Sequence, residues 1–370
     1  MFNFSKKDIK RLDFVLLFTL IALIGYGLVV LSSAIAPTND TIKSQVVATV
    51  VGFLAMLFIF TLDLDFLKKI KWVIYVISIG LLVATILFGH GGEEWGANLW
   101  LKIGPINLQP SEISKVLHII FLSAYLGDNK KKINTRNFII KYLFFGLLPV
   151  ALIIRQKDIG TAMVVFFITM VIFFISGISW KNIGIIFAIG LLAFFISLPF
   201  IWSKLDGYAK DRILDFQNSD RNLSTSTHQT DRGLIALGSG QLTGRGYKSG
   251  PFSQNKYIPE QHTDFIFPVL VEDFGFIGGF VAIFLYFMLF YRMIRVSMRS
   301  DEVYHVGMVI GVLALLFIHI FENMGMTMGI MPVTGIPLPF FSNGGTFQMM
   351  NISLMGIVLS VSMHKKSLEF

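Results

Sequence analysis

The sequence has no cysteine in its 370 residues. Disulfides, thiolate nucleophiles and cysteine-based metal sites are therefore excluded. Charge is scarce too: Asp, Glu, Lys and Arg make up 15% of the chain, where soluble proteins carry about a quarter. The seven histidines, at 90, 118, 228, 262, 305, 319 and 364, show no paired metal-ligand spacing and no His-Glu-x-x-His pattern. No repeat of about 20–50 residues is visible. No low-complexity linker divides the chain. What dominates is apolar: 54% of the residues, with 37 Phe and 16 Met.

These apolar residues come in long blocks of about 17–25, the length that matches the hydrocarbon thickness of a bilayer. The expected fold is all-α, a polytopic transmembrane helical bundle of about ten helices forming one domain over 1–370. The spans read 14–36, 44–62, 72–88, 111–127, 138–154, 160–178, 183–202, 265–291, 303–330 and 346–363. The first is too long for a signal-peptide core and lacks a small-residue cleavage pattern, so it reads as a retained anchor. The fourth is the most polar, with Glu112 and Lys115 at its start. The eighth is long, and Glu272, Asp273 and Gly275 predict a break in it.

The net charge of +8 sits in the loops between spans, which argues for membrane topology rather than nucleic acid. With the N-terminus cytoplasmic, the inner segments hold eighteen Lys and Arg and the short outer segments five. The positive-inside rule then predicts both termini cytoplasmic. It also places three polar stretches outside: 89–110, a large loop 203–264 between the seventh and eighth spans, and 331–345.

The outer stretches and span ends carry the informative residues. Gly238 to Gly246, with glycines at 238, 240, 244 and 246, is either a tight turn or a nest of N–H groups facing an anion; it lacks the Lys and strand of a phosphate loop. Asp63-Leu64-Asp65 resembles the acidic pair that holds a metal in sugar-nucleotide transferases, but on the cytoplasmic side beside Lys68 and Lys69 it reads rather as a solvated helix end. Thr263 or Asp264 is placed to cap the helix that starts near Phe265, and Ser111 to cap the fourth span. Glu112 and Lys115 stand i, i+3 on one helix face. Ionisable groups at or within a bilayer are costly and usually mark function. Pro332, Pro337 and Pro339 with Gly335, Gly344 and Gly345 exclude a regular helix, and such backbone at membrane depth persists only where protein or water satisfies it.

Taken in order, seven segments resemble the SEDS family, the RodA and FtsW cell-wall polymerases, and resemble RodA most. They are Gly96 to Trp100, Gln109 to Lys115, Gln156 to Thr161, Ala236 to Gly240, Pro259 to Phe267, Glu272 to Gly275, and Pro332 to Gly345. The resemblance implies a peptidoglycan glycosyltransferase of the bacterial cytoplasmic membrane, multi-pass, with its active site outside. It would polymerise lipid II, the undecaprenyl-pyrophosphate-linked disaccharide-peptide, for elongation or, as a paralogue, for division or sporulation. The implied catalytic residue is Asp264. Substrate binding or charge stabilisation falls to Glu112, Lys115, Arg212, Trp100, Lys43, Gln229 and His262. The implied partners are a class B penicillin-binding protein and the elongation machinery. Four positions depart from the family pattern: Leu99, Ser44, Arg232 and Asn343.

The implied chemistry is one inverting displacement, from an α-linked pyrophosphate donor to a β-1,4 product. It needs a base on the acceptor's 4-hydroxyl and positive charge on the leaving pyrophosphate. Inverting glycosidases set the precedent of a carboxylate activating the attacking oxygen, and burial at a membrane boundary makes a carboxylate more basic. Charge neutralisation falls to Lys115, to Arg212 or to a divalent cation, Mg²⁺ or Mn²⁺; Lys115 alternatively only locks Glu112. A lipid flippase or transporter is the rival reading, since it too has broken helices and intramembrane charge; a non-catalytic scaffold is the other.

Overall fold

The structure, a computed structural model, describes residues 12–35, 40–91, 98–103, 106–204 and 225–363. Each of the ten apolar runs falls on a helix. The helices are α1 (Phe14–Ala34), α2 (Thr41–Thr61), α3 (Leu64–Lys69), α4 (Lys71–Phe88), α5 (Pro110–Asp128), α6 (Arg136–Arg155), α7 (Ile159–Ile175), α8 (Trp180–Lys204), α9 (Thr225–Ser239), α10 (Pro251–Gln254), α11 (Ile266–Met298), α12 (Val303–Thr327) and α13 (Gly345–Met363). Among the described residues seven of them, α1, α2, α4, α6, α11, α12 and α13, are long and apolar enough to cross a membrane. Of the others, α7 is shorter and α8 is apolar over Trp180–Leu192. Glu112, Lys115 and His118 make α5 more polar.

The all-helical expectation needs one correction. In the stretch 89–110, β1 (Leu101–Ile103) pairs antiparallel with β2 (Ile106–Leu108), and His90 bridges to Trp100. A hairpin lets the backbone groups of a non-helical segment satisfy one another.

The most buried of those seven helices are α12 and α13, and α5 is buried to a similar degree. α13 lies along α2; α12 packs on α5, α7 and α11; α5 packs on α4. Between helices in lipid the drive is close packing and polar contact rather than hydrophobic transfer. Small residues accordingly sit at the seams, Gly52 against Ile352 and Gly356 against the backbone of Met56. The outward faces carry exposed Phe18, Leu54, Phe58, Val76, Phe144, Phe187, Phe276 and Phe280. On a soluble protein such surface marks an interaction site; around a whole bundle it is the surface lipid solvates.

Polar contacts sort the bundle into two ends. At one end the Arg292 guanidinium holds Asp13, the cap of α1, through Nε at 3.1 Å and Nη2 at 2.6 Å. There also Lys68 and Lys71 pair with Asp128, Tyr304 Oη donates to Leu64 O, and Ser179 N donates to Asn134 Oδ1. These are the loops rich in Lys and Arg. At the other end Gln254 and Gln261 donate to the carbonyls of Ser33 and Ala34, Gln156 donates to Leu82 O, and Thr346 Oγ1 donates to Asn107 O. The described parts of the three polar stretches meet at this second end.

The break expected in the eighth span is present. Gly275 interrupts α11 with φ 68° and ψ −167°, a conformation only glycine adopts without strain. The glycine-rich turn fills the break: Arg245 N and Gly246 N donate to the carbonyls of Glu272 and Asp273, while Phe276 N and Ile277 N donate to those of Gln241 and Leu242. Of the two readings of Gly238 to Gly246, the structure takes the tight turn. The amides of 240, 244, 245 and 246 all bond protein carbonyls and so are not offered to an anion.

Candidate active site

The site is built from two non-helical segments and the end of one helix. Segment 259–265 leads into α11, and segment 332–345 leads into α13. Ser342 Oγ donates to Thr263 O at 2.5 Å and accepts from Leu338 N at 2.7 Å. Asn343 N donates to His262 O at 2.8 Å. Gln45 clamps the second segment from α2, donating to Ser342 O at 3.0 Å and accepting from Gly344 N at 3.1 Å. The buried Tyr286 hydroxyl donates to Pro339 O. From α12, the fully buried Asn323 donates through Nδ2 to Asp264 O and to Ile336 O, both at 2.8 Å. This is how irregular backbone persists at the end of a membrane bundle: the carbonyls of His262, Thr263, Asp264, Ile336, Pro339 and Ser342 each meet a protein donor.

Asp264 is half-buried in this setting. Its Oδ2 lies beside Gly335, 3.5 Å from where a Cβ on that glycine would stand. Neither Thr263 nor Asp264 caps α11, contrary to expectation. Phe265 occupies the cap position with no side-chain bond, and Thr263 Oγ1 turns back to Glu260. Ser111 does not cap α5 either. Gln109 holds that position, and Pro110 opens the helix with its preset φ and absent N–H.

Below this end lies a buried charged cluster on α5 and α12. Lys115 is 1% exposed and Glu112 6%. Lys115 Nζ donates to Glu112 Oε1 at 2.8 Å and lies 3.1 Å from His319 Nε2, with the Phe347 ring 5.8 Å away. An ammonium has no acceptor, so the imidazole accepts through Nε2. Glu322, one turn on, is fully buried with neither carboxyl oxygen hydrogen-bonded among the described residues. It lies within electrostatic reach of Lys115 and Asp158. Asp158 caps α7, accepting from Thr161 N at 3.0 Å. Burial pushes its carboxyl above the ordinary range; that hydrogen bond and the Lys115 charge act against the rise. His319 and Asn323 stand i, i+4 on α12, about 6 Å apart along the axis. The Lys115 cluster and the Asp264 backbone thus hang on adjacent turns of one helix.

The remaining sequence candidates disperse. His262 takes part through its backbone carbonyl. Trp100 sits half-buried at the base of the hairpin. Lys43 is exposed and pairs with Asp40 at 3.0 Å, while its neighbour Gln45 enters the site. Gln229 is half-buried on α9, which packs against α11 and α12. Arg212 lies outside the described residues. Of the departures from the family pattern, Arg232 Nη1 donates to Tyr257 O at 3.1 Å. His319, Glu322 and Asn323 were missed in the sequence, yet three polar residues so close together within an apolar run are a readable signal.

The model of the FtsW, RodA and SpoVE family, described as cell cycle protein, matches residues 14–367. The chain belongs to this family. MrdB of Escherichia coli K12, a peptidoglycan glycosyltransferase, is 32% identical over 363 residues, 98% of this chain and 96% of the relative. Stage V sporulation protein E of Bacillus subtilis is 30% identical over 368 residues, 96% and 98% of the two chains. Among solved structures, a chain from a peptidoglycan synthase complex that coordinates polymerization and crosslinking superposes with a TM-score of 0.81, at 27% identity, over 96% of this chain and 99% of that one. The rod shape determining protein RodA of Thermus thermophilus gives 0.70 at 25% identity, over 96% and 98%. The SEDS resemblance read from seven short segments is thus a full-length relationship.

Proposed function

We propose that this protein is a peptidoglycan glycosyltransferase that polymerises lipid II into β-1,4 glycan strands, with Asp264 as general base. The observation that carries the reading is the placement of Asp264. Its backbone is tied to the second non-helical segment through Asn323, at the end of the bundle away from the basic loops, and Asn323 stands one turn of α12 from His319 of the Glu112–Lys115–His319 cluster. The acceptor's 4-hydroxyl gives its proton to the carboxylate as its oxygen attacks the anomeric carbon of the donor, and the pyrophosphate leaves with inversion.

The contacts of Lys115 favour the locking role of the two left open by the sequence: both its partners are in the protein, and it is sealed from solvent. Neutralisation of the pyrophosphate then falls to Arg212 or to a divalent cation. Among the described residues no three His, Asp or Glu side chains gather as metal ligands. A Mg²⁺ or Mn²⁺ ion would supply positive charge at the pyrophosphate, and the described residues do not form a ligand set of their own for it.

The chain forms one membrane domain over 1–370, with ten spans in the bacterial cytoplasmic membrane. The basic end and both termini face the cytoplasm; Asp264 and the large loop 203–264 face outward. The sorting of contacts into a basic end and a loop-rich end supports this orientation. The role is wall elongation together with a class B penicillin-binding protein and the elongation machinery. The match to a chain of a synthase complex supports the partner. The match to Stage V sporulation protein E supports a sporulation role as the alternative. The deciding experiment is purified protein with fluorescent lipid II, read on a gel. A ladder of polymer is expected; lipid II that is moved across vesicles but never polymerised would make the protein a flippase.

A further inference from the structure

We infer that Asn323 is the positioning residue of the catalytic base. The inference rests on the reading of Asp264 just given. Asn323 is buried on α12, and its Nδ2 places one N–H on Asp264 O and the other on Ile336 O, each at 2.8 Å. Both donors of the amide are thereby committed. The two carbonyls belong to the two non-helical segments: Asp264 lies in 259–265, and Ile336, in 332–345, follows Gly335, the residue beside Asp264 Oδ2. Asn323 therefore sets the separation of the base from the segment that Gly335 belongs to.

Two further observations accompany this. Asn323 Oδ1 is buried and without a donor among the described residues, so within the protein the side chain bonds only through Nδ2, to these two carbonyls. The helix it stands on is also held firm at this point. His319, one turn before, meets Lys115 from α5. A rigid helix that carries a two-pronged donor is a means of holding a carboxylate within the narrow tolerance that proton transfer requires.

The test measures steady-state polymerisation by purified Asn323→Ala and Asn323→Ser at several lipid II concentrations and across pH. A misplaced base costs rate rather than binding. The expected result for Asn323→Ala is a fall in kcat of about 10²-fold, with KM for lipid II within threefold of wild type. Asn323→Ser retains one donor and recovers part of the loss. The acid limb of the pH–rate profile shifts in Asn323→Ala, which loss of remote packing would not cause. A folded variant with kcat within threefold of wild type, or a loss that only tracks the fraction of folded protein in both variants, overturns the inference. Asp264→Asn run beside them locates any failure. If that variant is inactive while Asn323→Ala is normal, only the positioning role falls. If it polymerises normally, the base falls and the inference with it.

Discussion

Gly244 and Gly275 pack backbone to backbone. A methyl on Gly244 would run into the Asp273 carbonyl, and one on Gly275 into the Gly244 amide. Both glycines have positive φ, 84° and 68°. The contact closes the break in α11 with the turn that follows α9, and the Glu272 carboxylate reinforces it by accepting from Phe252 N and Ser253 N at 2.7 and 2.9 Å.

Gly275→Ala should therefore lose folded protein rather than activity per folded molecule. Strain at such a φ costs on the order of 1–3 kcal/mol, and the clash with Gly244 adds to it. The check is detergent-solubilised yield and Tm. A Gly275→Ala protein with wild-type Tm would show that the break is not built on this contact.

Much of this was legible in the sequence, and what was not has a common cause. The break showed because two acids and a glycine interrupt an apolar run. Its filling did not, because Arg245 and Glu272 meet only once a turn and a helix lie side by side. The pairing of Lys115 with Glu112 followed from helical spacing, but His319 comes from 204 residues away. Two caps were misread because cap residues are common and a position is decided by its neighbours: Pro110 opens α5, and Thr263 bonds back to Glu260. Lys43 drew attention by its charge, whereas the uncharged Gln45 has the two-sided amide that a pair of backbone groups needs.

The orientation is directly testable, because the chain lacks native cysteine. Lys131 and Ser249 are exposed at the two ends. On intact cells an impermeant thiol reagent should label Ser249→Cys and leave Lys131→Cys dark until permeabilisation. The reverse pattern would place Asp264 in the cytoplasm and end the proposed mechanism.

The buried pair makes a third prediction. Removing one partner of a buried, hydrogen-bonded ion pair costs about 3–5 kcal/mol. Glu112→Ala and Lys115→Ala should each lose folded protein and activity, since each strands the other charge. The double variant with Glu112→Lys and Lys115→Glu should recover part of both. Wild-type polymerisation by the two single variants would show that neither charge needs its partner.

The outer face of α11 presents Phe276, Phe280, Phe284, Phe287 and Tyr291 in a helical stripe. The partner proposed above would place its single anchor helix there, by the close contact that drives association in lipid. Co-purification with the cognate class B penicillin-binding protein should raise the polymerisation rate in vitro, and Phe280→Ala with Phe284→Ala should weaken the rise. An identical rate with and without the partner counts against the complex.

The decisive variant is Asp264→Asn. It keeps the shape of the side chain and every backbone contact that holds the residue, including the bonds from Asn323 to Asp264 O and from Ser342 to Thr263 O. A helix-cap explanation for any loss is already removed, because the cap position of α11 belongs to Phe265 and uses no side chain. Asparagine is in any case nearly as good a cap as aspartate. What asparagine cannot do is take a proton from the acceptor's 4-hydroxyl. General-base catalysis is worth about 10²–10⁴ in rate. Asp264→Asn should accumulate in the membrane at wild-type levels, melt within a few degrees of wild type, and leave fluorescent lipid II unpolymerised. Wild-type rates from a well-folded Asp264→Asn protein would remove this carboxylate from the chemistry and send the search for a base to the other half-buried acids of the same end of the bundle, with Asp158 first among them.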